Sequence, residues 1–266
     1  MHLPGSSSFV PLWLLTVIFF AALLAARELG AFLRTRQSLR KSLKALTTTG
    51  ADEGDSFSTN TVLGLLALLI GFTFSLALGR YDERRSLVLH EANALGTTWL
   101  RADLLEMPDA ERVRAVLRRY IDARVDFAKA KTAQEEVKEY ARTTALQTEL
   151  WGAVMAGTDS FRDTPRASLM VTTTNESIDL AGERFAARQD HIPHRILRML
   201  FLFAVFAAGL LGYERARQRT STTLLLLLFS LAVGLVLDLD LPSTGGINVP
   251  QDPMLDLQRA VGLPTP

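Results

Sequence analysis

The sequence has 266 residues, of which 48% are hydrophobic and 21% charged, with a formal net charge of +1 and no cysteine. A net charge so close to zero argues against a nucleic-acid-binding protein, which would usually carry a strongly basic face. Without cysteine the chain has no disulfides, thiolate metal sites or iron–sulfur clusters. The hydrophobic residues are clustered along the chain, and this clustering excludes an ordinary soluble protein.

Four segments are almost free of charge and long enough to cross a bilayer, which takes about 20 apolar residues in a helix. They are residues 9–26, 60–79, 196–213 and 220–237. Arg198 is the only charged residue among them, and it lies near enough to the start of its segment to extend to the membrane surface. The first segment also suits the core of a cleaved signal peptide, but residues 1–8 lack the Lys or Arg that such a peptide needs. The sequence therefore predicts four membrane spans.

The rest of the chain is arranged around these spans. A first transmembrane region, 1–79, contains a loop at 27–59 that is basic at first and acidic later. Residues 80–195 form a large hydrophilic insertion, and residues 196–240 hold the second pair of spans. Residues 241–266 form a C-terminal tail marked by proline and glycine.

The insertion is predicted to be helical throughout. Apolar residues at alternating steps of four and three form one helix face that continues directly from the second span: Val88, Ala92, Leu95, Trp99 and Ala102. A second apolar stripe follows Pro108 and fits one long helix or two shorter ones: Val113, Leu117, Tyr120 and Phe127. A last helix should begin at Asp163-Thr164-Pro165, where a capping side chain precedes a proline suited to the first turn. The predicted fold class is therefore all-α, with two pairs of membrane helices flanking a helical domain.

Small residues recur along the membrane helices. In the second span Ala67, Gly71, Ser75 and Gly79 are four residues apart and share one helix face. The third span has Ala204, Ala208 and Gly212, and the fourth has Ser230 and Gly234. Such spacing lets helix backbones approach closely in lipid. The face on the second span is expected either to pack within one subunit or to pack between subunits and line a narrow path.

No ionisable residue lies deep inside a span. This pattern disfavours proton pumps and cation-coupled carriers, which place such residues at membrane depth. A channel with a hydrophobic constriction needs no buried charge, because it can close by dewetting. Ile70 and Phe74, one helical turn apart on the second span, are the candidates for this constriction. The alternative is that both simply face lipid or the protein core.

Charged residues gather where the second and fourth spans end. Four spans place these two ends on one side of the membrane, which brings together a charged mouth formed by Arg80, Arg84, Arg85, Asp238 and Asp240. Because the dipole of a helix disfavours an anion at its C-terminus, Asp238 is expected to have a cationic partner, either Arg80 or Arg84. The cluster could be an ordinary group of solvated interfacial charges, or an electropositive mouth that concentrates anions.

Metal and catalytic motifs are incomplete. His90-Glu91 begins like a zinc-binding helix, but residue 94 is alanine where a second histidine is needed. His191 and His194 are separated by Pro193 and have no obvious third ligand. The sequence offers no nucleophile with a matching base and no phosphate-binding glycine loop, so no cofactor and no metal are expected. An enzyme is the least favoured class.

Several segments together resemble the bacterial bestrophin-like family of membrane proteins. They include the run GLLALLIGFTFSLALGRYDERRSLVLHEANALGTTWLRADLL at 64–105 and Asn175-Glu176. His191-Ile192-Pro193, before the third span, and Asp238-Leu239-Asp240-Leu241-Pro242, after the fourth, complete the resemblance. Bestrophins proper are pentameric anion channels in which the second span lines the pore and a large helical domain lies in the cytosol.

The resemblance implies a homo-oligomer, a pentamer by analogy, in the lipid bilayer of the bacterial inner membrane, with a pore for anions along the second span. It also implies a cytosolic helical domain, whereas Lys and Arg are slightly more frequent beside the short loops, which favours the opposite orientation. We therefore expect an ion channel. The alternative is a non-conducting membrane scaffold or sensor whose helical domain binds a protein partner.

Overall fold

The computed structural model describes residues 11–44, 55–242 and 245–262. These residues form eight α-helices and contain no strand. The helices are α1 (Leu12–Lys44), α2 (Asp55–Arg101), α3 (Asp109–Lys129), α4 (Ala133–Thr158), α5 (Pro165–Gln189), α6 (His194–Glu214), α7 (Arg219–Asp240) and α8 (Asp252–Gly262). The predicted all-α class is confirmed.

The chain divides into two compact units. The membrane unit comprises Met1–Gly79 and Ile192–Asp240, and the helical unit comprises Arg80–His191 and Leu241–Pro266. Among the described residues four segments are long and apolar enough to cross a membrane: Leu12–Ser38, Thr59–Leu104, Pro165–Glu214 and Arg219–Asp240. The almost uncharged parts of α1, α2, α6 and α7 supply their apolar windows.

The predicted loop at 27–59 is largely helical. α1 continues to Lys44 and α2 already begins at Asp55, so only 45–54, which lie outside the described residues, separate them. The acidic part of the predicted loop, Asp52 and Glu53, falls within that gap. The helix continues because residues 31–49 contain neither Gly nor Pro and are rich in good helix formers such as Leu, Arg and Lys.

The helical unit follows the apolar pattern of its sequence. α2 runs without interruption to Arg101, and its predicted face from Val88 to Ala102 is buried. After Pro108 the structure has two helices because a capping box begins α4. The Thr132 side chain accepts a hydrogen bond from the Glu135 backbone N–H (3.2 Å), and the Glu135 carboxylate accepts one from the Thr132 backbone N–H (3.2 Å). Thr164 caps α5 in the predicted position, with Pro165 in its first turn.

The C-terminal segment, predicted only as a tail, contains a helix that packs against α3. Met254 and Val261 of α8 are buried in the core of the helical unit. Arg118 Nε donates to the Val261 carbonyl (3.0 Å), and Gln258 Nε2 donates to Asp122 Oδ1 (2.7 Å). The described part of this segment is therefore integral to the helical unit.

Small residues bring α1 close to α6 and α7. A Cβ atom added to Gly30 would collide with the Gly209 backbone, and one added to Gly212 would collide with the Arg27 backbone. Ser230 Oγ of α7 donates to the Thr16 carbonyl of α1 at 3.0 Å. The small residues of the third and fourth spans therefore serve packing inside one chain.

Candidate functional site

The small-residue face of α2 points away from the core of its own chain. α2 buries Leu66, Ile70, Thr73 and Ala77 within the membrane unit. The predicted face, Ala67, Gly71, Ser75 and Gly79, is exposed at all four positions. A Cβ atom added to Gly71 or Gly79 would have no neighbouring atom within 4 Å. This face is therefore free to contact lipid or another subunit.

The two constriction candidates differ in their positions. Ile70 is only 8% exposed and belongs to the apolar core of the membrane unit, whereas Phe74 is half-buried. Leu68 and Phe72, on the side opposite that core, are 53% and 65% exposed. The burial of Ile70 counts against its predicted place at a constriction, while Phe74 stays a prediction. The sequence does not single out Leu68 and Phe72, because a continuously apolar helix does not reveal which face is buried.

The arginines at the start of the helical unit bind the C-terminal end of α5. Arg80 Nη1 lies 3.0 Å from Asp190 Oδ2. Arg84, which is buried, donates from Nε to the Ala187 carbonyl (3.0 Å) and from Nη2 to the Asp190 carbonyl (2.6 Å). Cationic groups satisfy the free carbonyls of a helix C-terminus and complement its dipole. Asp190 was not among the predicted residues, and Arg85 is exposed.

At the end of α7, Asp240 accepts a hydrogen bond from the backbone N–H of Ile192 at 2.9 Å, and both residues are buried. This bond joins the two segments on which the family resemblance depends, the one before α6 and the one after α7. Asp238 is half-buried. Its pairing with Arg80 or Arg84 stays a prediction.

A buried ionic cluster connects three helices of the helical unit. Glu91 of α2 is fully buried and is bound by Arg124 of α3 and Arg184 of α5, whose side chains are at most 6% exposed. Arg124 contacts both carboxylate oxygens, and Arg184 Nη1 lies 2.6 Å from Oε2. Burial alone would raise the pKa of Glu91, but the two guanidinium groups outweigh it and lower that pKa. Glu91 therefore stays ionised at neutral pH.

Arginines also surround the ring of Phe127, beside this cluster. The guanidinium carbons of Arg124, Arg188 and Arg184 lie 4.6, 5.0 and 5.9 Å from the ring centroid. Arg188 Nε lies 2.6 Å from Glu136 Oε1, so this arginine has its own acidic partner. The sequence marks Glu91 only as part of an incomplete zinc motif, because its partners Arg124 and Arg184 are distant along the chain.

The acidic side chains in and beside the cluster are paired with arginine. Glu91 is held by Arg124 and Arg184, and Glu136 is held by Arg188. Burial is the main cause that raises the pKa of Tyr120, which lies beside the cluster. In the described part of the chain, no group of three or more His, Asp or Glu side chains is placed to hold a metal ion.

Comparison with known proteins supports the resemblance. Residues 55–254 match the model of the Bestrophin-like domain family. Two mutant crystal structures of a bacterial bestrophin homolog from Klebsiella pneumoniae match with TM-scores of 0.66 and 0.68 at 16% and 14% identity, each covering 91% of this chain and 97% of the other. A crystal structure described as a membrane protein matches with a TM-score of 0.66 at 16% identity and the same coverage. At such identities the likeness shows the fold alone. A comparison with curated proteins finds no match.

Proposed function

Because the chain belongs to the bestrophin-like family, we propose that it forms a homo-oligomeric channel for small anions, a pentamer in the bacterial inner membrane, with a pore along α2. The observation that carries this proposal is the exposed face of α2 within a chain whose other small-residue faces are already packed. A Cβ atom added to Gly71 or Gly79 would lie in open space. A Cβ atom added to Gly30 or Gly212 would instead collide with the backbone of a neighbouring helix.

The chemistry of this face is suited to a pore. Small residues let α2 helices from neighbouring subunits approach one another. The exposed apolar side chains of Leu68 and Phe72 would form a constriction that opens and closes by wetting and dewetting. Phe74, half-buried in one chain, lies beside this path as the second candidate. Residues 60–79 of α2 contain no charged residue, which disfavours an ion-coupled carrier.

Selectivity for anions is proposed from the charges that follow the pore segment. Arg80 comes directly after Gly79, and Arg85 is exposed one and a half helical turns later. A ring of such residues in an oligomer would raise the local anion concentration.

The orientation of the chain in the membrane needs its own test. Single cysteines introduced within 45–54 of this cysteine-free chain would be labelled from one side of the membrane only, and that side gives the orientation.

The decisive experiment records purified oligomer in planar bilayers with asymmetric chloride. We expect anion-selective current whose conductance rises in Phe72→Ala, because the variant widens the constriction. Phe206→Ala is the matched control, since Phe206 on α6 is 64% exposed against 65% for Phe72. Phe206→Ala should leave the conductance unchanged. Absence of current in bilayers that contain demonstrably folded oligomer would refute the channel.

The alternative function is a membrane scaffold or sensor whose helical unit binds a protein partner. It is favoured by an open groove of about 630 Å³ between α2 and α8. Leu100 at this groove is 69% exposed, and Leu89 is 47% exposed. Two results together would support this alternative: folded oligomer that carries no current, and loss of partner binding in cells when Leu100 is changed to aspartate (Leu100→Asp).

A further inference from the structure

A basic pocket lies at one end of the membrane unit, where α1 passes the end of α6 and the start of α7. Its volume is about 450 Å³. Its polar lining includes Arg34, Thr35 and Ser38 of α1 and Arg215, Arg217 and Gln218 from the α6–α7 connection. Among the described lining residues Glu214 is the only acidic one, against three arginines, so this lining carries a net positive charge.

Two of the three arginines are held in place by neighbouring helices. Arg34 donates from Nη1 to the carbonyls of Tyr213 (3.0 Å) and Glu214, at the C-terminal end of α6. Arg215 Nη2 donates to Asn60 Oδ1 at 3.0 Å. Arg217 is exposed at the rim. A guanidinium fixed by one edge keeps further N–H donors, and its planar fork matches the oxygens of a phosphate.

With these helices across a bilayer, the pocket would fall at the level of the lipid headgroups, because it lies at the ends of three membrane-length segments. Arg34 and Ser38 are at the end of the membrane-length segment Leu12–Ser38, α6 ends at Glu214, and α7 begins at Arg219. Directly before the pocket, α1 exposes three large apolar side chains: Leu29 (59%), Phe32 (52%) and Leu33 (49%). A phosphate in the pocket would therefore have apolar protein surface beside it for attached acyl chains.

We infer that this pocket binds the phosphate of an anionic phospholipid headgroup, whose acyl chains lie along the exposed apolar face of α1. Basic pockets between membrane helices are suited to such headgroups. The adjoining apolar surface favours a lipid over free phosphate, which would gain nothing from it. A bound lipid would bridge α1 and the α6–α7 connection.

The test uses the full-length protein in detergent and counts bound dioleoyl phosphatidylglycerol by native mass spectrometry during a titration. The variant is Arg215→Gln/Arg217→Gln, which leaves Arg34 and its α6 contacts in place. We expect one saturable lipid per subunit of the wild type. The variant should bind this lipid about 30-fold more weakly, because each arginine near anionic lipid raises the affinity about fivefold. Arg36→Gln is the control, because Arg36 is exposed at the same level, packs over Phe32 and does not line the pocket.

Each outcome decides the question. Loss of the saturable lipid in the double variant, but not in Arg36→Gln, would support the pocket. A weakening of about fivefold in Arg36→Gln, the same for each arginine removed as in the double variant, would show general attraction to the basic surface and overturn the inference. Unchanged binding in the double variant would also overturn it. If inorganic phosphate at millimolar concentration displaces the lipid, while dioleoylglycerol does not, the pocket is a free-anion site and the lipid assignment fails.

Discussion

Glu91→Gln is expected to destabilise the helical unit strongly. The substitution keeps the shape of the side chain but removes the only negative charge between Arg124 and Arg184. Both side chains are held in the interior, at 0% and 6% exposure, so neither can turn to solvent for compensation. This carboxylate joins α2 to α3 and α5, beside the apolar core that the three helices share.

The expected loss in the free energy of unfolding follows from the burial of the cluster. Removing one partner of a buried ion pair costs about 3–5 kcal/mol, because an uncompensated charge remains in the interior. Glu149→Gln makes the same chemical change at the exposed pair between Glu149 and Arg119, where the side chains are 47% and 54% exposed. Exposed pairs contribute only about 0–1 kcal/mol. At roughly 2–4 °C for each kcal/mol, the expected fall in Tm is about 6–20 °C for Glu91→Gln and below about 4 °C for Glu149→Gln.

The assay is thermal unfolding of the purified variants in one detergent, followed by circular dichroism. A second variant, Arg124→Met in the Glu91→Gln background, removes one of the two unpaired charges and should recover part of the lost Tm. If Glu91→Gln shifts Tm no more than Glu149→Gln does, the cluster does not stabilise the unit and the reasoning is wrong.

Three further predictions concern packing, assembly and pH. Gly212→Ala should lower stability by about 1–3 kcal/mol in thermal melts, because its Cβ would meet the Arg27 backbone; an unchanged Tm would contradict this contact. Gly71→Leu should leave each subunit folded by circular dichroism but shift the proposed oligomer to smaller species in size-exclusion chromatography, since the added side chain would obstruct only a neighbouring subunit; an unchanged elution volume would place that face in lipid. Because the folded state lowers the pKa of Glu91 below its ordinary value of 4.5, the cluster's stabilisation should be complete above about pH 4.5 and lost as pH falls through the lowered pKa. Acid titration of Tm should show this loss in the wild type and not in Glu91→Gln.

One structural device recurs in both units. Arg34 donates to the last carbonyls of α6, and Arg84 does the same at the end of α5. Arg188 donates to the Phe127 and Ala128 carbonyls at the end of α3. Since the last carbonyls of a helix have no partner within it, a guanidinium from a neighbouring helix both satisfies them and fixes the packing. Part of the basic content of this nearly neutral chain is therefore structural.

The sequence alone determined the elements that depend on local pattern and on solvent. Four almost uncharged segments predict membrane spans, the face from Val88 to Ala102 predicts a helix that continues out of the second span, and Thr164-Pro165 locates a helix start. Each signal lies within a few turns of one helix, where spacing and capping are sufficient. The family resemblance rests on the same local segments.

Only the tertiary structure decided which faces are buried and which charges meet. Within an apolar helix every position is equally suited to lipid or to a protein neighbour, so the exposure of Phe72 and the burial of Ile70 could not be derived from residues 60–79. Glu91 and Arg184 are 93 positions apart and become partners only when α2 and α5 pack. Local pattern fixes helices because their hydrogen bonds are local, whereas ion pairs and interfaces depend on distant segments that the fold brings together.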